Sequence, residues 1–340
     1  MTAMRNSDPF LVDLMSRVQN ALGPDLREEI AGLLAANRAQ QLAGLPLPAD
    51  GTFSVEALAR DGYLPLGRLL DLPAVDRLVG FLQERPVYAA HVPVYSDGVP
   101  RSIAATRALS DYGSYKLQDV VAAPGLLDLA LNEDVVALAS AYLGALPYIY
   151  SIHAWWTYPG GGAPARTHRI HRDQDDFRFL SLFVYLTDVQ EPADGPTVYY
   201  AGSHRKALLA ERTVNDPDPA VRAAADRVGR IELFFPPRGG NATRYNEALQ
   251  ELLAQQAATL TGVAGSAFIA DTFGLHCGTP PARQQRLALW IRYGLYKNWA
   301  YKTDRTAPAQ LPAADYDRLT PVQRLLLELV VSPPDGAPGA

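Results

Sequence analysis

The stretch THRIHRDQDDFRFLSLFVYL, residues 167–186, constrains this chain more than any other. It holds the only His-x-Asp of the sequence, His171-Arg172-Asp173, and runs straight into an apolar, aromatic segment with the character of a buried strand. On an extended backbone, residues two apart point to the same face. His171 and Asp173 would therefore present an imidazole and a carboxylate side by side. That is two thirds of the two-histidine, one-carboxylate set that holds a non-heme Fe(II) from one side and leaves open positions. Taken alone, such a pair is more often a surface ion pair or hydrogen bond. The stretch GSAFIADTFGLHCGTPPARQQRLALWIRY, residues 265–293, adds the missing pieces. It offers His276 after one strand-like run and Arg286 at the head of another.

Further pieces fall into the same order: GPTVYYAGSH at 195–204 and, upstream, DGYLPLGRLLD at 61–71. With HRD at 171–173, GSAFIADTFGLHCG at 265–278 and Arg286, the chain resembles the phytanoyl-CoA dioxygenase-like family of Fe(II)/2-oxoglutarate-dependent oxygenases over about residues 54–300. Ala201 stands where that family usually has Pro before Gly-Ser-His, a departure that concerns a turn. The resemblance implies a mainly β fold with flanking helices, built on a double-stranded β-helix (jelly-roll, cupin-like) core. It implies His171, Asp173 and His276 as iron ligands and therefore as catalytic residues. It also implies Arg286 as the partner of the distal 2-oxoglutarate carboxylate, which calls for a planar, permanently charged fork. Lys116, in KLQD, and Tyr185 match places near the co-substrate in the family, and Thr279 could add a hydroxyl. A solvated Lys116 is the equal alternative.

The chemistry so implied consumes O2 and 2-oxoglutarate, releases succinate and CO2, and hydroxylates a small-molecule metabolite. Epimerisation, desaturation or cyclisation in a biosynthetic pathway stays open, as does a jelly-roll binding protein without catalysis. Family members that halogenate carry a small residue where this chain has Asp173, so a halogenase is not expected. An epimerase needs a hydrogen-atom donor, and Cys277 directly follows a ligand, so its thiol is expected to point away and pack.

Composition narrows the partners. A net charge of −5 with no long basic run argues against nucleic acid. One cysteine rules out an internal disulfide framework and fits a reducing cytoplasm. The opening MTAMRNSDPFLVDLM has acids, a Pro and no long apolar stretch, unlike a signal peptide or membrane anchor. The oligomeric state is left open.

The chain divides into an N-terminal helical extension (1–53), an oxygenase domain (54–305) with a helical insertion at about 205–260, and a C-terminal helix with a disordered tail (306–340). Ser7-Asp8-Pro9 starts one helix and Asp25 onward a second, both expected to pack on the core or on another subunit. GLLDLALNEDVVALASAYLG reads as one amphipathic helix ending at Gly144, bracing the sheet. YIYSIHAWWTYP reads as a strand with His153, Trp155 and Thr157 on one face and Ala154 and Trp156 on the other, one set lining the pocket. Glycines 160–162 lack a following helix, which excludes a phosphate-cradling loop. His168, three residues from His171, is expected to face the other way, and His204 to be structural. Ser203 is expected to cap a helix. If the His-x-Asp strand continues, Asp175 shares the Asp173 face and reads a polar or cationic substrate beside Trp155 and Trp290, while Asp176 faces away. A salt bridge from Asp175 to Arg172 or Arg178, or a loop open to solvent, is the alternative.

Overall fold

The computed structural model describes residues 22, 24–45, 51–160, 168–205, 217–220, 222–223, 242–296 and 308–334. The helix expected after Ser7-Asp8-Pro9, the glycine-rich run at 161–167 and most of the 205–241 segment lie outside them. Two antiparallel sheets form the centre. The larger has six strands in the order β1-β7-β4-β9-β3-β2. These are β1 (Tyr63–Arg68), β2 (Tyr112–Ser114), β3 (Tyr148–Thr157), β4 (Phe179–Tyr185), β7 (Ser266–Ala270) and β9 (Arg286–Gly294). The smaller, ordered β6-β5-β8, joins β5 (Thr197–Tyr200), β6 (Ala257–Leu260) and β8 (His276–Gly278). From β3 onward the chain passes back and forth between the sheets, with the consecutive β5 and β6 both in the smaller one and His171 bridged to His276 at its edge. That is the double-stranded β-helix, or jelly roll, with flanking helices.

Strand alternation sorts the side chains. On the larger sheet, Ile152, Ala154 and Trp156 of β3, Leu180, Leu182 and Val184 of β4, and Leu287, Leu289 and Ile291 of β9 join one apolar cluster. Helices cover this face: α1 (Pro24–Gln41), α2 (Val55–Asp61), α3 (Leu72–Gln83), α5 (Leu117–Val121), α6 (Leu126–Ala130) and α7 (Glu133–Leu143), with the short α4 (Ile103–Arg107) beside β2. The opposite face, with Trp155, Phe183, Tyr185, Ala288 and Trp290, meets Tyr199 and Leu260 of the smaller sheet. The outside of the smaller sheet, with Val198, Tyr200 and Cys277, is covered by α8 (Ala242–Leu252).

Several sequence boundaries move. The single helix expected over 125–144 is two, because Asn132 caps α7 through its side chain onto Val135 N, and Gly144 closes it at φ 85°. Residues 257–260, placed in the insertion, are a core strand. The C-terminal part is not one helix with a loose tail. It holds β10 (Ala309–Gln310), α9 (Ala313–Arg318), α10 (Pro321–Leu327) and β11 (Val331–Ser332), with β10 and β11 paired in parallel and Val331 buried. Residues 335–340 are outside the described set. The helix α1 packs on the core, its buried Arg38 lying 3.6 Å from the centre of the Tyr148 ring.

Leu289 is fully buried on the helix-facing side of β9. Leu289→Ala should cost about 2–5 kcal/mol of stability, measured by denaturant unfolding. Affinity for a divalent metal should be unchanged, because the opposite face of the strand holds the polar groups described next.

Candidate metal centre

Two backbone hydrogen bonds tie His171 to His276: His171 N donates to His276 O at 2.9 Å and His276 N to His171 O at 3.0 Å. This exchange defines a hydrogen-bonded antiparallel pair, whose side chains leave the sheet on one side. The two imidazole centroids lie 4.3 Å apart. Each ring is fixed the same way, Nδ1 bonding the carbonyl two residues back: Arg169 O at 2.8 Å and Gly274 O at 2.9 Å. A carbonyl only accepts, so each Nδ1 carries the hydrogen and each Nε2 is left with a lone pair. Both Nε2 atoms face Asp173, that of His171 at 3.8 Å from Oδ1 and that of His276 at 3.8 Å from Oδ2. The three donor atoms lie within 4.8 Å of one another. Burial alone would raise the Asp173 carboxyl, but the positive charge of Arg292 beside it opposes this and helps hold it below the ordinary range. Two neutral imidazoles and one carboxylate are the donor set that suits a divalent first-row metal. Gly274 has no room for a side chain, since a Cβ there would strike the Tyr199 hydroxyl.

The strand does not continue through Asp173. Residues 175–178 form bends, and β4 begins only at Phe179. Asp175 therefore does not lie on a strand shared with Asp173, and parity does not place it. Asp175 is instead paired with Arg292 and accepts from the Tyr150 hydroxyl at 3.2 Å. Neither expected alternative holds it: Arg172 donates to the Ser203 and Phe273 carbonyls, and Arg178 pairs with Glu28. Asp176 is buried as a backbone acceptor, taking Leu295 N and Tyr296 N on Oδ2 and Phe177 N on Oδ1.

Arg286, Ala288, Trp290 and Arg292 share the face of β9 that looks between the sheets. Register places Arg286 opposite Thr157, Ala288 opposite Trp155, and Trp290 opposite His153. This settles which face of β3 lines the interior. Trp155 and Trp290 meet edge to face, centroids 4.9 Å apart. The Arg286 guanidinium is buried, donating to Gly195 O and to Thr157 Oγ1 at 3.1 Å. Among the described residues no carboxylate pairs with it. Gly195 sits at φ 82°, and a Cβ there would press on Thr279 O and Pro281 N, so the carbonyl that receives Arg286 depends on glycine.

The other expected residues are placed less directly. Tyr185 is buried and its hydroxyl is committed, donating to Leu260 O at 2.8 Å and accepting from Thr197 N at 3.0 Å. Thr279 is half-buried, its N–H on Pro196 O. Lys116 is exposed before α5 with its ammonium 5.1 Å from the Tyr88 ring, and is not drawn into the cluster. Cys277 packs under α8, on the opposite side of β8 from His276, and burial pushes its thiol up to about 11. Ser203 accepts from Leu275 N at 2.7 Å, while the helix it was expected to cap lies outside the described residues. His204 bonds Ala59 O at 3.1 Å.

His168 was expected to be merely structural. It bonds the Tyr112 hydroxyl at 2.7 Å, and burial and the charge of Arg286 bring it down to about 4. Residues 168–169 turn and do not extend, so spacing from His171 does not fix which way His168 faces. Arg292, on the same face of β9 as Arg286, touches Asp173 at 2.8 Å.

Fold and cluster together define a double-stranded β-helix protein with a two-histidine, one-carboxylate candidate metal centre between its sheets. No protein-family model matches the chain, and no curated protein does. Among solved structures it is similar to the non-heme alpha ketoglutarate dependent epimerase SnoN from nogalamycin biosynthesis, at 15% identity and TM-score 0.44, covering 71% of this chain and 81% of that one. HygX from Streptomyces hygroscopicus, with nickel and 2-oxoglutarate bound, gives 15% identity and TM-score 0.44 over 76% and 91%. EvdO2 from Micromonospora carbonacea var. aurantiaca gives 19% and 0.43 over 73% and 93%. Likeness at this level leaves function to be argued from the site itself.

The purified chain should bind one Co(II), used as a probe, and His171→Ala, Asp173→Ala and His276→Ala should each lose that binding in a calorimetric titration. Retention by Asp173→Ala would remove the carboxylate from the set.

Proposed function

We propose that the protein is an Fe(II)- and 2-oxoglutarate-dependent oxygenase that hydroxylates a small molecule. What supports this most is the presence, in one interior, of the His171–Asp173–His276 cluster and a buried Arg286 without a carboxylate partner among the described residues. A buried cation left unpaired is costly, so the arrangement calls for an anionic ligand. The pairing of Thr197 with Gly278 and Tyr199 with His276 relates the two ends. Gly195, which receives Arg286, precedes the His276 level by four residues of chain, at most ~14 Å when extended. 2-Oxoglutarate carries a carboxylate at each end and would answer both: one carboxylate and the keto oxygen at the metal, the other at Arg286.

Iron, when bound, supplies the centre at which O2 is reduced at the expense of 2-oxoglutarate. The balance is substrate C–H, O2 and 2-oxoglutarate in; alcohol, CO2 and succinate out. His171 and His276 present lone pairs because their Nδ1 hydrogens are held by carbonyls. Asp173 adds one negative charge. Tyr185 acts one step back from the co-substrate, fixing Thr197 N and with it the segment whose Gly195 carbonyl orients Arg286. Thr279 borders the same segment. His168, neutral above about pH 4, adds no competing cation beside Arg286.

Trp155 and Trp290 form an aromatic wall for the substrate. The Trp290 indole N–H is buried and meets no acceptor among the described residues, so the substrate is taken to be uncharged and to bring an oxygen acceptor. The cationic substrate expected from Asp175 loses its basis, because Arg292 already answers that charge. The position of Cys277 outside the barrel removes it as a radical hydrogen donor, which favours hydroxylation over thiol-assisted epimerisation.

The test is aerobic turnover with Fe(II), 2-oxoglutarate and a panel of neutral and cationic small molecules, recording succinate and product masses. Arg286→Ala removes a charge-assisted pair worth roughly 2–5 kcal/mol. Its 2-oxoglutarate KM should rise well over tenfold, with Arg286→Lys between the two. An unchanged KM would take the co-substrate role away from Arg286.

A further inference from the structure

We propose that Arg292 is a positioning residue of the metal centre, and that Asp175 sets how strongly Arg292 pulls on Asp173. The inference rests on His171, Asp173 and His276 being metal ligands. Arg292 stands near the end of β9 and is 1% exposed. Its partners in register are small, Ser151 on β3 and Ser181 on β4, which leaves room for a long side chain to cross the interior. The guanidinium lies 3.7 Å from the centre of the Trp290 ring, which supports it from below. One arm, Nη2, donates to Asp173 Oδ2 at 2.8 Å, and the other, Nη1, faces Asp175.

A backbone irregularity completes the arrangement. The β3–β9 register shifts between Ile149 and Ser151, leaving Tyr150 as the extra residue. Such a bulge re-aims its side chain. Tyr150 thus leaves the apolar cluster of Ile149 and Ile152, and its hydroxyl donates to Asp175.

Two consequences follow for a bound metal. With Oδ2 committed to a charge-assisted hydrogen bond, Asp173 is held to ligation through one oxygen, and a coordination position stays open for the co-substrate. With Asp175 on the other arm, the charge of Arg292 is shared. Two acids and one arginine carry a net −1, the same as a lone carboxylate ligand. Without Asp175 the whole guanidinium charge would fall on Asp173 and compete with the metal. Arginine suits the role because its planar fork serves two carboxylates at once.

The experiment uses the full chain and Co(II), reading affinity by calorimetry and coordination by visible d–d absorption. Asp175→Asn should keep the fold, checked by circular dichroism, and weaken Co(II) binding about tenfold or more, the usual scale for an outer partner of a ligand. Arg292→Met should lower the d–d band intensity, as Asp173 turns to two-oxygen ligation and the coordination number rises. Arg292→Lys should restore it in part. In the Arg292→Met background, Asp175→Asn should cost little, because Asp175 acts through Arg292. An equal cost in both backgrounds would mean a bare charge effect and would overturn the proposal. So would an unchanged affinity in Asp175→Asn, which decides alone if Arg292→Met fails to fold. A wild-type chain that binds no Co(II) would sink the metal-centre reading itself; wild-type binding with an inert Asp175→Asn would sink the clamp only.

Discussion

Everything at this site depends on two backbone hydrogen bonds between His171 and His276, which join segments far apart in sequence. Neither histidine belongs to a long strand. β8 is three residues long, and His171 contributes a single bridge. Their pairing nevertheless sets Cα atoms about 5.5 Å apart with side chains on one side of the sheet. Each ring then takes its tautomer from a carbonyl two residues earlier in its own chain. The same local device used twice aims two Nε2 atoms at one carboxylate. Gly274 and the Tyr199 hydroxyl, which donates to Asp271 O at 2.8 Å, shape the loop that supplies the second carbonyl.

One strand face delivers two arginines with opposite fates. Six residues separate Arg286 from Arg292 on β9, about 20 Å of extended chain. Arg292 meets two carboxylates and Arg286 none among the described residues, though both are almost wholly buried. The unpaired one receives only neutral acceptors, the Gly195 carbonyl and the Thr157 hydroxyl. Neutral dipoles orient a guanidinium without discharging it. Trp155 and Trp290 occupy the levels between, so a ligand held at both ends would lie along an aromatic wall.

Period-two reasoning succeeded where the ladders are regular. It put Trp155 with His153 and Thr157 on one face and turned Cys277 away from His276. It failed where the backbone leaves the ladder. Asp175 lies in bends after the bridge, His168 in a turn before it, and Tyr150 on a bulge; in each case the side chain goes where parity does not send it. No local signal marks the Tyr150 bulge in YIYSIHAWWTYP, since alternating aromatic and apolar residues suit either register. The Arg292 clamp was out of reach for the same reason. It unites β9, a bend and a bulge, and only the closed barrel brings them together.

The charges named at the site bear on what it can hold. Asp173 and Asp175 contribute two negative charges, Arg286 and Arg292 two positive ones, and the bonding of His171 and His276 leaves their Nε2 atoms as donors to a metal. The sum is zero. A dication at the histidines and a dianion reaching toward Arg286 again sum to zero, so loading such a pair leaves the interior neutral. Burying a net charge is among the costliest things a protein can do; the named charges sum to zero in both conditions, but only the loaded one places a negative charge beside Arg286. A cationic third component would break that balance, because Asp175, the second carboxylate named at the site, is already shared with Arg292 and Tyr150. An uncharged substrate keeps it. On the proposed reading, the Trp290 N–H, which meets no acceptor among the described residues, would select among neutral molecules for one that presents an oxygen there.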